Sequence, residues 1–199
     1  LIVAGNEQRF TTDTNKDAWY YGDGSDGAAD MTGLLQGRSA DMRYTPVGEN
    51  FGDMQLTMTV APFKTAGQAF SVAPLYMDVL IKFDAKTMTG YALRFIRTTK
   101  YHDAVDCMFV RYDHGKITPI SEAVSTSALR PLCTISIQSK GNQLLAQATT
   151  SADPRLDNGA VLSSINISTT VPPNSFGGFG IQYNGGSPTM IRDMRVEWK

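Results

Sequence analysis

Few side chains in this 199-residue sequence could carry out acid–base or nucleophilic chemistry. Asp78 and Asp106 lie within apolar, strand-like segments, and His102 lies in a polar segment next to Asp103. A Ser-His-Asp triad forms only when the fold brings its members together, and no nucleophile-elbow sequence supports one here. We therefore take Asp78, Asp106 and His102 as weak candidates for catalytic roles. Solvation or structural hydrogen bonding is the alternative for each of them.

A second candidate site is an acidic segment near the start of the chain. Asp13, Asn15 and Asp17 have the D-x-N-x-D spacing with which an EF-hand calcium loop begins. That loop needs glycine at its sixth position and glutamate at its twelfth, where this chain has Ala18 and Gly24. The EF-hand interpretation therefore fails. An acidic solvated loop and a looser calcium site both stay open, and the looser site would be drawn from Asp13, Asn15, Asp17, Asp23 and Asp26.

Aromatic and arginine side chains are the third group. Trp19 and Tyr21 share one face of an aromatic run, and Arg94 lies between apolar residues of a strand-like segment. Arginine in such a strand needs either a wet ligand-contacting surface or an acidic partner. The sequence leaves both open, with Asp78 or Asp106 on a neighbouring strand as the partner. The candidate ligand-binding residues are Trp19, Tyr21, Arg94, Arg97, Tyr101 and His102.

These side chains must be positioned by strands, because the dominant periodicity of the chain is two. In 53–60 polar and apolar residues alternate, which predicts a half-buried strand, and 133–139 repeats the pattern. The inward residues are then Met54, Leu56, Met58 and Val60 in the first strand and Cys133, Ile135 and Ile137 in the second. In the last segment Met190, Arg192, Met194, Val196 and Trp198 are predicted to share one face, which Arg192 interrupts.

Segments 76–83 and 91–98 are apolar on both faces, which is typical of strands in the middle of a sheet. Further strands are predicted at 105–112, 116–120, 143–149, 161–168 and 178–183. Turn signals separate them, among them the Asp-His-Gly-Lys sequence at 113–116, where His114 is expected to be solvated. Residues 121–130 form a short helix or a loop, and no longer helix is predicted. One all-β domain spanning 1–199 follows.

Composition excludes some functions. The formal net charge is −1 without long basic or acidic runs, which argues against nucleic acid as a partner. No apolar stretch has the length of a membrane-spanning segment. Cys107 and Cys133 lie on apolar strand faces, so they are either buried free thiols or a disulfide between neighbouring strands. Asn166-Ile167-Ser168 fits the N-glycosylation pattern, which matters only in a eukaryotic protein.

Several motifs resemble one family of domains. They are Trp19, Gly-Asp-Gly at 22–24, Gly-Leu-Leu-Gln-Gly at 33–37, Phe-Gly-Asp-Met-Gln-Leu at 51–56, Gly-Tyr-Ala-Leu-Arg at 90–94, and the closing segments 177–182 and 191–197. Together they resemble concanavalin-A-like jelly-roll domains of Bacteroidetes type, related to 3-keto-disaccharide hydrolase-like and laminin-G-like glucanase and lectin domains. The resemblance implies a two-sheet antiparallel jelly-roll sandwich in which the last strand returns beside the first.

For function, the resemblance implies an oligo- or polysaccharide partner. Three hypotheses follow: a glycan-binding or accessory domain with sugar docked on the concave sheet, a glycoside hydrolase, and a purely structural domain. Glucanases of this shape carry Glu-x-Asp-x-x-Glu on one strand, and this sequence lacks it, so a hydrolase would need an atypical acid/base pair. We further expect export to a bacterial periplasm or cell surface and a neighbouring catalytic domain in a longer polysaccharide-utilisation protein. No cofactor is expected, with structural calcium as the alternative.

Overall fold

The computed structural model describes residues 2–4, 8–9, 19–21, 34–35, 39–46, 50–62, 75–97, 104–129, 132–151, 161–184 and 189–199. Strands and their connections account for all of this part of the chain, which contains no helix. It accordingly offers no helix of the length and apolarity needed to cross a membrane. The all-β prediction is confirmed.

Sixteen strands are found in these ranges. They are β1 (Ile2–Ala4), β2 (Gln8–Arg9), β3 (Trp19–Tyr21), β4 (Leu34–Leu35), β5 (Ser39–Tyr44), β6 (Met54–Pro62), β7 (Tyr76–Asp84), β8 (Thr89–Ile96), β9 (Val105–Asp113), β10 (Lys116–Pro119), β11 (Val124–Thr126), β12 (Cys133–Lys140), β13 (Gln143–Ser151), β14 (Val161–Thr170), β15 (Gly178–Asn184) and β16 (Thr189–Trp198).

The strands form two sheets. Sheet A has the order β14-β13-β12-β6-β16-β1-β2, with β4 also paired to β16. Sheet B has the order β10-β9-β8-β7-β15-β5-β3, with β11 also paired to β9. Neighbouring strands are antiparallel, except that β1 runs parallel to β16. The last strand therefore lies beside the first, as the resemblance implied.

The core lies between the sheets and follows the predicted alternation. In sheet A, Met54, Leu56, Met58 and Val60 and their neighbours Cys133, Ile135 and Ile137 are at most 1% exposed. In sheet B, the inward side chains include Val79, Leu93, Phe95 and Phe109. Burial of such side chains removes apolar surface from water, which is the main stabilising contribution to a sandwich of this kind.

The two cysteines lie on facing sheets. Cys107 belongs to β9 of sheet B and Cys133 to β12 of sheet A, and both are free thiols with no exposed surface. Burial raises the pKa of the Cys107 thiol well above its ordinary value. The buried-thiol alternative is therefore the one found, and neither cysteine has the exposure that a reactive thiol needs.

The turn between β9 and β10 has the hairpin conformation that its sequence predicts. His114 and Gly115 both have positive φ, 51° and 82°, which a tight hairpin turn requires at its two central residues. The His114 side chain is 78% exposed, and its Nδ1 lies 2.8 Å from Oδ1 of Asp113. His114 is thus a solvated turn residue, as predicted.

Two predictions about local structure were wrong. Residues 121–130 contain the short strand β11, which pairs with β9, in place of a helix or a loop alone. In β16 the register shifts between Arg192 and Arg195, so that Arg192 pairs with Thr59 while Val196 pairs with Leu56. This bulge inserts one extra residue, so the strict alternation predicted across 190–198 is broken between Arg192 and Arg195.

Candidate functional site

The two sheets differ on the faces that point away from the core. On sheet B this outer face carries a second apolar cluster whose buried members are Leu80, Phe83, Ala92, Val110 and Tyr112. Each of these side chains is at most 1% exposed. Met88, Met108 and Ile117 pack against them. The middle of sheet B is therefore covered on both faces, which explains why 76–83 and 91–98 are apolar throughout.

A buried ion pair lies beside this cluster. Asp78 of β7 pairs directly with Arg94 of β8 in the sheet register. Arg94 donates from Nε to Oδ1 of Asp78 at 2.8 Å and from Nη2 to Oδ2 at 2.7 Å. The Arg94 guanidinium also lies 4.0 Å from the ring centre of Tyr76, a cation–π contact. Of the two alternatives for Arg94, the structure therefore has the ion pair with Asp78.

Tyr112 extends this network across the sheet. Its hydroxyl lies within hydrogen-bond distance of Oδ2 of Asp78 and, at 2.7 Å, of Oε1 of Gln182. Tyr112 belongs to β9, whereas Asp78 and Gln182 belong to β7 and β15, so the side chain lies across intervening strands. A hydroxyl carries one hydrogen, so the two acceptors compete for it.

Burial governs the ionisation of this network. It raises the pKa of Asp78 above its ordinary value, although the hydrogen bond and charge of Arg94 and the hydrogen bond from Tyr112 act in the opposite direction. Burial together with the charge of Asp78 raises the pKa of Tyr112 as well. Side-chain exposure is 0% for Asp78 and 12% for Arg94. The ion pair is buried, and both carboxylate oxygens accept hydrogen bonds. It therefore links β7 to β8 and leaves little surface for a ligand.

The turn between β7 and β8 also lies against this face. Arg43, on the outer face of β5 and 6% exposed, donates from Nη1 to the carbonyl oxygen of Ala85 at 3.1 Å and contacts Sδ of Met88. Gly180 of β15 pairs with both Arg43 and Leu80, so no side chain stands between them. The outer face of sheet B is thus closed over its described central strands.

The outer face of sheet A has the opposite character. The strand register places its outward side chains in rows that run across the strands. One row passes from β16 to β14 through Glu197, Gln55, Gln138, Leu145 and Ser168, and the next through Arg195, Thr57, Ser136, Gln147 and Asn166. Most of these side chains are amides or hydroxyls, which donate and accept hydrogen bonds without carrying charge.

A groove of about 420 Å³ lies over these rows. Side chains of β6, β12, β13 and β14 line it, with buried Ala146 and Ile167 below. The other lining residues are Gln55, Ser136, Gln138, Leu145, Gln147, Asn166 and Ser168. Four adjacent strands span roughly 14 Å. The groove is therefore an elongated surface of planar amides and hydroxyls, of a size that ligand sites have. We name it the sheet A groove.

Arg195 and Glu197 mark the β16 end of these rows. Arg195 Nη2 lies 2.6 Å from Glu197 Oε1, and their side chains are 58% and 27% exposed. Both residues belong to β16, and neither lines the groove.

Two other described charges flank the groove: exposed Lys140, two residues along β12 from Gln138, and half-buried Asp53, two residues before Gln55. Asp53 accepts a hydrogen bond from the backbone N–H of Gly141 at 2.7 Å.

The structure places some of the sequence candidates and not others. Asp78 and Arg94 are brought together, as described above. Asp106, half-buried on β9, pairs with Ile96 and Ser125, and Arg97 is half-buried just after β8. Trp19 and Tyr21 lie on β3, which pairs with β5 at the end of the sheet B order. Tyr101 and His102 lie outside the described residues, and so do the calcium candidates Asp13, Asn15, Asp17, Asp23 and Asp26.

In the part of the chain with described side chains, no three His, Cys, Asp or Glu residues come together as a metal site. The calcium expectation therefore stays a prediction.

The residues of the sheet A groove were not among the sequence candidates. A signal for them was present, since the outward positions of 133–139, 143–149 and 161–168 are unusually rich in Gln, Asn and Ser. Asn166 was noted only as part of a glycosylation pattern.

Comparison with known proteins found no matching family model and no curated protein of similar sequence. Structural comparison was informative. A lectin from Bauhinia forficata in complex with GalNAc matches with a TM-score of 0.54 at 12% identity, covering 92% of this chain and 93% of the lectin. The carbohydrate-binding module CBM66 from Bacillus subtilis matches with a TM-score of 0.50 at 12% identity, covering 90% and 95%.

A third structure, the carbohydrate recognition domain of Emp47p, matches with a TM-score of 0.51 at 11% identity and covers 90% of this chain and 88% of that domain. At such low identities these matches establish the fold alone. The chain is a two-sheet antiparallel jelly-roll sandwich with the concanavalin-A-like fold. The predicted fold class is confirmed.

Proposed function

We propose that this domain binds a glycan in the sheet A groove. The observation that carries the proposal is the convergence of amide and hydroxyl side chains from four adjacent strands, β6, β12, β13 and β14, on one open groove. Sugar rings present neighbouring hydroxyl groups that both donate and accept hydrogen bonds. The amides of Gln55, Gln138, Gln147 and Asn166 match them, since each has a donor and an acceptor in one plane.

The jelly-roll fold is consistent with this function, because lectins and carbohydrate-binding modules of known structure share it. The proposed site lies on sheet A, whereas the sequence candidates Arg94 and Asp78 lie on sheet B. Their ion pair gives those two residues a structural role in the proposal.

We also propose the kind of protein to which the domain belongs and its cellular location. A glycan-binding domain fits a polysaccharide-utilisation protein as an accessory to a neighbouring catalytic domain, exported to the periplasm or the cell surface.

Calcium bound by the acidic segment that contains Asp13 and Asp17 would be structural in that setting. Loss of thermal stability on chelation with EDTA, restored by added calcium, would test the metal; an unchanged melting temperature would remove it from the proposal.

Binding is tested with a glycan array followed by isothermal titration calorimetry of the strongest ligand. We expect Gln147→Ala to weaken that ligand about 5- to 30-fold, the effect of one or two lost hydrogen bonds. Gln143→Ala is the matched control, because Gln143 is also an exposed glutamine on the same face of β13 but does not line the groove. Gln143→Ala should bind like the wild type.

Gln138→Ala gives a second, independent test on β12. Circular dichroism and thermal melting establish that each variant is folded. If ligand binding is unchanged in both Gln147→Ala and Gln138→Ala, the groove is not the site. If no glycan on the array is bound at all, the glycan-binding function itself fails.

A further inference from the structure

The lining of the sheet A groove contains no charged side chain among the residues that the structure describes. Its nine residues are glutamine, asparagine, serine, leucine, isoleucine and alanine. Among the described charges nearby, Arg195 and Glu197 bind each other at 2.6 Å at the β16 end of the rows, and Lys140 and Asp53 flank the groove without lining it. This distribution bears on which ligands the groove can hold.

We infer that the groove selects neutral glycan chains and discriminates against sugars that carry carboxylate or sulfate groups; this inference rests on the proposed function. An anionic group entering the groove would lose part of its hydration, and no lining cation would compensate that loss. Neutral hydroxyl groups lose less, because the amides replace water as their hydrogen-bond partners.

Leu145 adds an element of specificity within the groove. It is 39% exposed, although its neighbours in the row are the polar residues Gln138 and Ser168. An exposed leucine among amides offers an apolar contact to the C–H face of a sugar ring, while the amides on either side hold the hydroxyls. We assign Leu145 the role of the apolar contact for one sugar unit of the bound chain.

The direction of the rows supports an extended ligand. Polar side chains recur from β6 to β14 at the spacing of the strands, so that equivalent groups are repeated across roughly 14 Å. A chain lying across the strands would meet an amide or hydroxyl on each of them. A single sugar would use only part of this surface, and we therefore expect affinity to rise with chain length.

The experiment compares a matched pair of ligands. The neutral chain that binds best on the array is converted to its carboxylated counterpart, by oxidation of primary alcohols in a hexose chain or by uronic acid side groups on a pentose chain. Calorimetry on the wild-type domain should show at least about 10-fold weaker binding of the carboxylated form. Compared with Gln147→Ala, which lacks the same amide, Gln147→Lys should recover about 3- to 5-fold of the affinity for the carboxylated form, the size of one partly exposed ion pair.

Two control variants accompany this measurement. Gln143→Lys places the same charge on the same strand outside the groove and should give no such recovery. Leu132→Ala is the control for Leu145→Ala, because Leu132 is a leucine of similar exposure, 38%, that does not line the groove. Leu145→Ala should weaken the neutral chain about 3- to 10-fold and Leu132→Ala should not.

The outcomes separate the two proposals. If the array identifies anionic glycans as the best ligands, or if the carboxylated chain binds as well as the neutral one, the selectivity inference is overturned. In that case, loss of binding in Gln147→Ala would still support glycan binding in the groove, and Lys140→Gln would test whether Lys140 holds the anion. If no glycan binds, the proposed function fails and the inference fails with it.

Discussion

The outward faces of the two sheets are built from similar alternating strands, but one face is covered and the other is open to solvent. On sheet B, outward side chains such as Leu80 and Ala92 are fully buried, and the charges of Asp78 and Arg94 are joined in an ion pair. On sheet A, outward side chains such as Gln147 and Leu145 are exposed and line a groove. In this sandwich one outward face is thus closed by packing, whereas the other is open to solvent.

The difference also shows how a charged residue should be interpreted. Arg94 stands out in the sequence because it interrupts an apolar strand, yet in the structure it compensates a buried carboxylate. Gln138 and Gln147 are unremarkable in the sequence, yet they meet in a groove. A charged residue that is buried on a strand is often paired with an opposite charge. An open surface can instead be built from uncharged polar residues.

The variant with the largest expected effect on stability removes the positive charge of Arg94 on sheet B. Arg94→Met leaves Asp78 buried without its partner and should lower the free energy of unfolding by about 3–5 kcal/mol. Arg111→Met is the control, because Arg111 and its partner Asp113 are 47% and 52% exposed and 3.5 Å apart. That variant should change the free energy of unfolding by about 0–1 kcal/mol. Urea denaturation measures both; a cost below about 1 kcal/mol for Arg94→Met would mean that this face is open to water.

A second test compares two outward leucines. Leu80→Ala creates a cavity in the sheet B cluster and should cost about 2–5 kcal/mol of unfolding free energy. Leu145→Ala removes the same atoms from the exposed face of sheet A and should change the stability by about 0.5 kcal/mol or less. Thermal and urea denaturation of the two variants measure the difference. Equal costs would show that the two faces are not distinct.

The smallest effect concerns the hydroxyl that joins the network on sheet B. Tyr112→Phe removes the hydroxyl that donates to Asp78 or Gln182 and should cost about 1–3 kcal/mol, because one of these acceptors is a buried carboxylate. Tyr91→Phe is the comparison, since its hydroxyl donates to a neutral acceptor, the carbonyl oxygen of Pro172, at 2.6 Å. We expect about 1 kcal/mol there. A larger loss for Tyr91→Phe in denaturation experiments would contradict the importance of the charged acceptor.

Ten strands, β6 to β10 and β12 to β16, were predictable to within a few residues, and the burial of Met54, Leu56, Met58 and Val60 followed from alternation alone. The short strands β2 and β4 and the six-residue strand β5 were not predicted. Alternation is reliable because successive side chains of any strand point to opposite faces. It failed between Arg192 and Arg195, where a bulge adds a residue, since a bulge depends on the partner strand β6 and leaves no mark in the local pattern. The strand β11 was missed for a similar reason, because its pairing with β9 defines it.

The candidate site was predictable only in part. That Asp78 was one of two carboxylates within reach of Arg94 was apparent from the sequence. The groove was not, since Gln55 and Asn166 are more than one hundred residues apart and meet through the strand order β6-β12-β13-β14.

The sequence by itself therefore determined that the chain forms strands and which side of most strands is apolar. Both are local consequences of backbone geometry and of the hydrophobic effect acting on alternate residues. Only the tertiary structure decided which outward face is covered and which is open. That outcome depends on strand order and on the segments that pack over each sheet, such as the Arg43 contact to the β7–β8 turn, and such long-range pairings are not encoded in any single segment.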